Sequence, residues 1–226
     1  MKQPNFDHIA RPYRWLEYLS LGRALERCRF HFLLQLLDRR RALIMGDGDG
    51  RFTAKLLAEN PSIEVDAIDI SQTMLALLRQ RAESTSDRLR THHADARTFP
   101  YDGPKNRYDL VVTHFFLDCF SQPDLDQLIE RIEPALAPEA LWIISDFRIP
   151  AGPMRFLARA YVRGLYLAFR VLTGLKTTQL PDYATPLAKQ GFTCEARHHS
   201  LAGLLTTELW RRDDKDENPP EQPRIR

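Results

Sequence analysis

The chain has too few cysteines for a disulfide framework. Cys28, Cys119 and Cys194 lie far apart and are odd in number, so they cannot all pair within one chain. Reduced thiols in a cytoplasmic protein are the simplest expectation. There is no CxxC pair and no histidine spacing of the kind that holds zinc. His92-His93 and His198-His199 fall on strand-like runs, where neighbours point to opposite faces, so neither pair chelates and no metal is expected. Charge of one sign is lacking too. Against 30 acidic residues stand 32 basic ones, and a net charge of +2 does not imply a nucleic-acid partner. No stretch reaches the roughly 20 uncharged apolar residues of a membrane span. The opening segment MKQPNFDHIARPYR has no apolar core of the kind a signal peptide needs.

What is present is an alternation. Residues 13–39 carry apolar side chains at helical spacing, with Gly22 separating two helices. ALIM (42–45) is a short apolar run ended by glycines, which reads as a buried strand. RFTAKLLAEN (51–60) is helical and Pro61 stops it. IEVDAIDI (63–70) is strand-like, and Ser71 caps a helix to about Arg81. LRTHHA (89–94) is a weaker strand and YDLVVTHFF (108–116) a strong one. A helix from about Asp124 to Leu136 and a fifth strand at ALWIIS (140–145) follow. Residues 153–174 and 181–190 read as helices, and 191–199 with 204–212 as a hairpin around Gly203. The pattern predicts an α/β fold. It is doubly wound, with a mostly parallel seven-stranded sheet and an antiparallel C-terminal hairpin strand. It divides the chain into an N-terminal helical lid segment (1–40), the main domain (41–212) with a helical insertion at about 150–190, and a charged, proline-rich, disordered tail (213–226).

In an open parallel sheet, ligands bind at the carboxyl ends of the strands where the strand order reverses. The first strand runs into Gly46-Asp47-Gly48-Asp49-Gly50, whose glycines permit positive φ and close approach of a ligand. Asp69 ends the second strand about 20 residues later, the spacing of an acid that grips ribose hydroxyls. An adenosine-containing ligand is the expectation. A pyrophosphate would meet Asp47 and Asp49. The third glycine of GxGxxG is replaced by Arg51, and no P-loop lysine is present. An acidic loop better suits a ligand with ammonium and sulfonium groups. The competing reading is that both aspartates merely cap the next helix.

Over about residues 40–212 the sequence resembles the class I S-adenosylmethionine-dependent methyltransferases. The resemblance is carried by ALIMGDGDG, IDIS (68–71), HADAR (93–97) and YDLVVTHFFLDCF (108–120), in that order. It implies S-adenosyl-L-methionine as cofactor, with Gly46 and Gly48 lining the methionine moiety and Asp69 holding both ribose hydroxyls. It also implies Ile70 on the adenine face, Asp95 and the Ala96 amide at the adenine edge, and a carbonyl near Thr113 or His114 for the ammonium. FDHIARPY (6–13) is similar to the N-terminal segment of ubiquinone- and menaquinone-type methyltransferases, which would let Tyr13 close over the cofactor. The family often has an acid two residues before the first glycine; here that residue is Ile44, so Asp47 or Asp49 would substitute. GDGDG also resembles the loop of spermidine synthases, but their aspartate-rich motif after the fourth strand is absent.

Methyl transfer is a displacement at a sulfonium carbon and needs a base only when the nucleophile carries a proton. His114, Asp118, Asp146 and Tyr161 are the polar residues expected nearest the acceptor, and His114 is the candidate base. His114 and Asp118 would share a face if a helix began there. The expected acceptor is a small, apolar or aromatic molecule. The 153–175 helix would lie over it as a lid, with Arg155, Arg159, Arg163 and Arg170 in one sector; the alternatives are an ordinary helix packed on the sheet with its arginines in water and, less favoured, membrane contact. The rivals are a non-catalytic methyltransferase-like binding module, an aminopropyltransferase and a nicotinamide-dependent oxidoreductase.

Overall fold

The computed structural model describes residues 21, 23–101, 107–173 and 180–213. Tyr13, most of the expected lid segment and the expected disordered tail lie outside them. The described elements are α1 (Arg23–Phe30), β1 (Arg41–Met45), α2 (Arg51–Glu59), β2 (Glu64–Asp69), α3 (Gln72–Arg81), β3 (Leu89–His93) and β4 (Tyr108–His114). They continue with α4 (Gln122–Ile132), β5 (Leu136–Phe147), α5 (Met154–Thr173), α6 (Ala184–Lys189), β6 (Phe192–Ser200) and β7 (Leu205–Arg212).

One seven-stranded sheet runs in the order β3-β2-β1-β4-β5-β7-β6. Pairing is parallel from β3 to β5, and β7 runs antiparallel to both β5 and β6. The alternation of side chains along each central strand explains the two layers of core. Leu43, Met45, Val111 and Trp142 face α4 and α6, while Ala42, Ile44, Val112 and Ile143 face α2, α3 and the turn after α1. The strand order reverses between β1 and β4, where Met45 lies opposite Thr113. The crevice therefore opens beyond Gly46 and His114.

Boundaries differ from the sequence reading where local geometry intervenes. Ser121 caps α4, accepting from the Asp124 amide, so this helix begins at Gln122 and ends at Ile132; Leu136 already belongs to β5. That strand has 12 residues and is interrupted by Glu139 at φ 54°, where its register with β4 shifts. β4 ends at His114 because Phe115 adopts φ 53°.

A buried acid anchors the far end of the sheet. The Asp66 carboxylate accepts from Arg41, Arg90, His92 and the Tyr108 hydroxyl. Burial alone would raise this carboxyl, but hydrogen bonds from His92 and Arg90, with the charges of Arg90 and Arg41, hold it below its ordinary value.

Candidate functional site

The glycine loop connects β1 to α2, and its three glycines have different tasks. All three have positive φ, 69° at Gly46, 60° at Gly48 and 78° at Gly50. A Cβ on Gly46 would lie 2.3 Å from the Phe116 ring, and one on Gly50 would lie 2.7 Å from the Leu78 Cα in α3. A Cβ on Gly48 would meet nothing within 4 Å among the described residues. Gly46 and Gly50 are thus set by packing, while Gly48 borders open space. Alanine at 48 is expected to cost only the left-handed backbone strain of about 1–2 kcal/mol and to weaken binding of a ligand in that space. Alanine at 50 must push α3 and is expected to lower the melting temperature more. Thermal melts with a binding titration separate the two; a larger melting loss for Gly48→Ala would contradict the division.

The two loop aspartates also separate. Asp49 is paired with Arg51 at 2.9 Å and with Arg81 of α3 at 2.8 Å, so it ties the loop to both following helices. Asp47 is only 7% exposed. Its Oδ2 accepts from the Thr53 amide and hydroxyl at 2.8 and 2.7 Å, holding the first turn of α2. Its Oδ1 is buried and has no hydrogen-bond partner among the described residues. Burial pushes the Asp47 carboxyl up.

His114, 2% exposed, resembles Asp47: its Nε2 is buried with no hydrogen-bond partner among the described residues. The neighbouring bonds fix what that atom offers. The Thr207 hydroxyl donates to the Cys28 carbonyl at 2.8 Å. The 3.2 Å bond between Ser145 and Thr207 must then be donated by Ser145. With its one proton committed, Ser145 accepts from His114 Nδ1 at 2.9 Å. In this network Nε2 carries the lone pair. Burial, with the Arg29 charge nearby, holds the imidazole well below its ordinary pKa, so it is neutral. Two acceptors, Asp47 Oδ1 and His114 Nε2, therefore sit at the reversal point between β1 and β4. Buried unsatisfied acceptors of this kind suit a cationic donor. Arg29 of α1, whose charge acts on both groups, was not singled out by the sequence, since no spacing links it to the loop.

Asp69 ends β2 with Oδ1 accepting from the Ser71 amide at 2.8 Å, and Ile70 follows it. Asp95 lies in the turn after β3, gripped by the Arg97 amide and guanidinium at 2.6–3.1 Å, and Ala96 beside it is buried. β2 and β3 are paired, and the Ala94 amide donates to the Asp69 carbonyl, so the two acids stand on adjacent strand ends. The Thr113 hydroxyl accepts from Trp142.

His114 and Asp118 do not share a helix face. Phe115 breaks the chain direction, and residues 117–119 form only a 3-10 turn. This turn places Asp118 with Asp146 at the end of β5. Both carboxylates are buried. Burial pushes Asp118 up to about 6, and burial followed by the Asp118 charge pushes Asp146 well above its ordinary value. Cys119 lies 3.6 Å from Asp118 Oδ1, and its thiol is raised by burial and then by Asp118 and Asp146. Tyr161 of α5 packs in one apolar group with Cys119, Phe147 and Ile149, and its hydroxyl is buried with no hydrogen-bond partner among the described residues.

Residues 42–139 match the family model described as "Methyltransferase domain". The malonyl-[acyl-carrier protein] O-methyltransferase of Paenibacillus sp. (strain JDR-2) is 28% identical over 156 residues, covering 67% of this chain and 54% of that protein. The demethylmenaquinone methyltransferase of Thermus thermophilus is 29% identical over 160 residues, 69% of this chain and 70% of that one. Other curated relatives are matched over about a third of their length or less. Among solved structures, the N-methyltransferase NodS from Bradyrhizobium japonicum superposes with a TM-score of 0.58 at 19% identity, covering 84% of this chain and 97% of that one.

Proposed function

We propose that this chain, which carries a class I S-adenosylmethionine-dependent methyltransferase domain, transfers a methyl group from S-adenosylmethionine to a small apolar or aromatic molecule. The observation that carries the reading is the set of groups at the strand-order reversal. An open space beside Gly48, two unsatisfied buried acceptors and Asp69 fit, in turn, a methionyl chain, its ammonium and a ribose. Asp47 Oδ1 and His114 Nε2, with a carbonyl near Thr113 or His114, would hold the ammonium, taking the place of the missing acid at Ile44. Asp69 would hold the ribose, Ile70 the adenine face, and Asp95 with the Ala96 amide the adenine edge. Arg29 would face the methionyl carboxylate. When bound, the cofactor supplies a methyl group made electrophilic by a sulfonium.

The chain's own residues do the rest by position and proton handling. Phe147 and the inner face of α5, with Tyr161 and Leu165, would enclose the acceptor and exclude water. For a protic acceptor we place the proton on the Asp118–Asp146 pair and not on His114. A carboxylate raised to about 6 titrates near neutrality, while a neutral imidazole held well below its ordinary pKa is a weak base. The test is transfer of a labelled methyl group to a panel of small apolar and aromatic molecules. Labelled product formed in step with S-adenosylhomocysteine is expected. Tight cofactor binding with no product from any acceptor would favour a binding module instead.

A further inference from the structure

Helix α5 is divided into three sectors at about 100° per residue. Ala158 and Val162 are buried against the body, with Tyr161 and Leu165 beside them. Arg155, Arg159 and Arg163 are exposed and occupy the next sector. The outward sector holds Phe156, Leu157 and Leu167, exposed at 63%, 66% and 63%, with Ala160 and Gly164 exposed between them. Met154, 44% exposed, begins the helix. A soluble helix keeps charge on the side facing away from the body. Here that side is apolar and the charge is displaced to its flank.

The charge is of one sign. Residues 147–181 contain no aspartate or glutamate. Arg155, Arg159 and Arg163 make no ion pair among the described residues; Arg155 instead lies 4.7 Å over the Phe156 ring. A second copy of the chain would bring no acid from this region to meet the arginines. A surface that is apolar inside and anionic at its boundary satisfies both sectors at once.

We propose that the outer face of α5 docks on an anionic phospholipid surface, with Phe156, Leu157 and Leu167 in the acyl boundary and the three arginines among the headgroup phosphates. The helix lies in the surface and does not cross it: no helix among the described residues is long and apolar enough to span a membrane. Docking would present the apolar acceptor side of the domain, under the inner face of the same helix, to the lipid phase.

Flotation of the full chain with phosphatidylcholine vesicles, with and without phosphatidylglycerol, tests this. Binding is expected only when phosphatidylglycerol is present, and it should fall as salt rises. A triple variant Arg155→Glu, Arg159→Glu, Arg163→Glu should lose on the order of a hundredfold or more in partitioning. A Phe156→Ser, Leu157→Ser, Leu167→Ser variant should lose binding while keeping S-adenosylhomocysteine affinity and its circular dichroism. Because multiple changes can disturb folding, a single Phe156→Trp variant gives a second reading. Its emission, as a difference from wild type, should shift to the blue with anionic vesicles only. No binding by the wild type, equal binding to neutral vesicles, or unchanged partitioning of a folded variant would overturn the proposal. So would a dimer that the serine variant abolishes without any vesicle binding, which assigns the face to a second copy.

Discussion

Asp69→Ala is expected to weaken S-adenosylhomocysteine binding by more than about a hundredfold. A carboxylate holding two ribose hydroxyls loses two charge-assisted bonds of roughly 1.5–3 kcal/mol each. Asp95→Ala should cost only about ten- to a hundredfold, the loss of one such bond. Asp95 is also already neutralised by Arg97, whose guanidinium reaches it at 2.6 Å, so its capacity toward an adenine amine is shared. Asp69 has a local duty as well, since it accepts from the Ser71 amide at the start of α3. Melting curves for each variant therefore accompany the titration, to show that the lost affinity belongs to folded protein. Equal or reversed effects of the two substitutions would show that the ribose acid is misassigned.

The second large effect is one of opposite sign in stability and activity. Asp118 and Asp146 are carboxyls whose folded pKa lies above the unfolded value of about 3.9 because burial raises both and the Asp118 charge raises Asp146 further. Between those two pKa values the native state holds more protons than the unfolded chain, so stability falls as pH rises from about 4 through 6 and beyond. Neutral asparagine removes that cost. Asp146→Asn is expected to be more stable than wild type at pH 8, by about 1–3 kcal/mol, and the advantage should disappear below about pH 4. Turnover of a protic acceptor should fall by about a hundredfold or more. Denaturant melts at several pH values check the first part. An advantage that does not change with pH would mean that the folded pair is not raised above its unfolded pKa values, and the proposed base would go with it.

The strands and their order of use were legible because buried parallel strands are uninterrupted apolar runs. ALIM and YDLVVTH lie almost where the runs place them, and the antiparallel hairpin follows from two strand-like runs of mixed polarity with a short turn between. The position of Asp69 at the end of β2 was legible for a different reason: the glycine loop and the acid are fixed to consecutive strands, so their separation in sequence measures one βα unit. Contacts that depend on a single backbone angle were not. Phe115 at φ 53° ends β4 and sends Asp118 to Asp146, away from His114, and nothing in THFFLDC announces a left-handed phenylalanine. The loop aspartates were read as a pair of like charges facing a ligand. Arg81, more than 30 positions away in α3, neutralises Asp49 and leaves only one oxygen of Asp47 for that task. The tautomer of His114 depends on Cys28 and Thr207, from elements at opposite ends of the chain that meet only in the folded sheet.

The measurement that bears most directly on the central claim is a calorimetric titration of the full chain with S-adenosylhomocysteine and, separately, with NAD. The groups at the β1–β4 reversal predict saturable one-to-one binding of S-adenosylhomocysteine, reduced when Asp47 Oδ1 or His114 Nε2 is removed by Asp47→Ala or His114→Phe, and no binding of NAD. Tight NAD binding with no response to the sulfur ligand would contradict it.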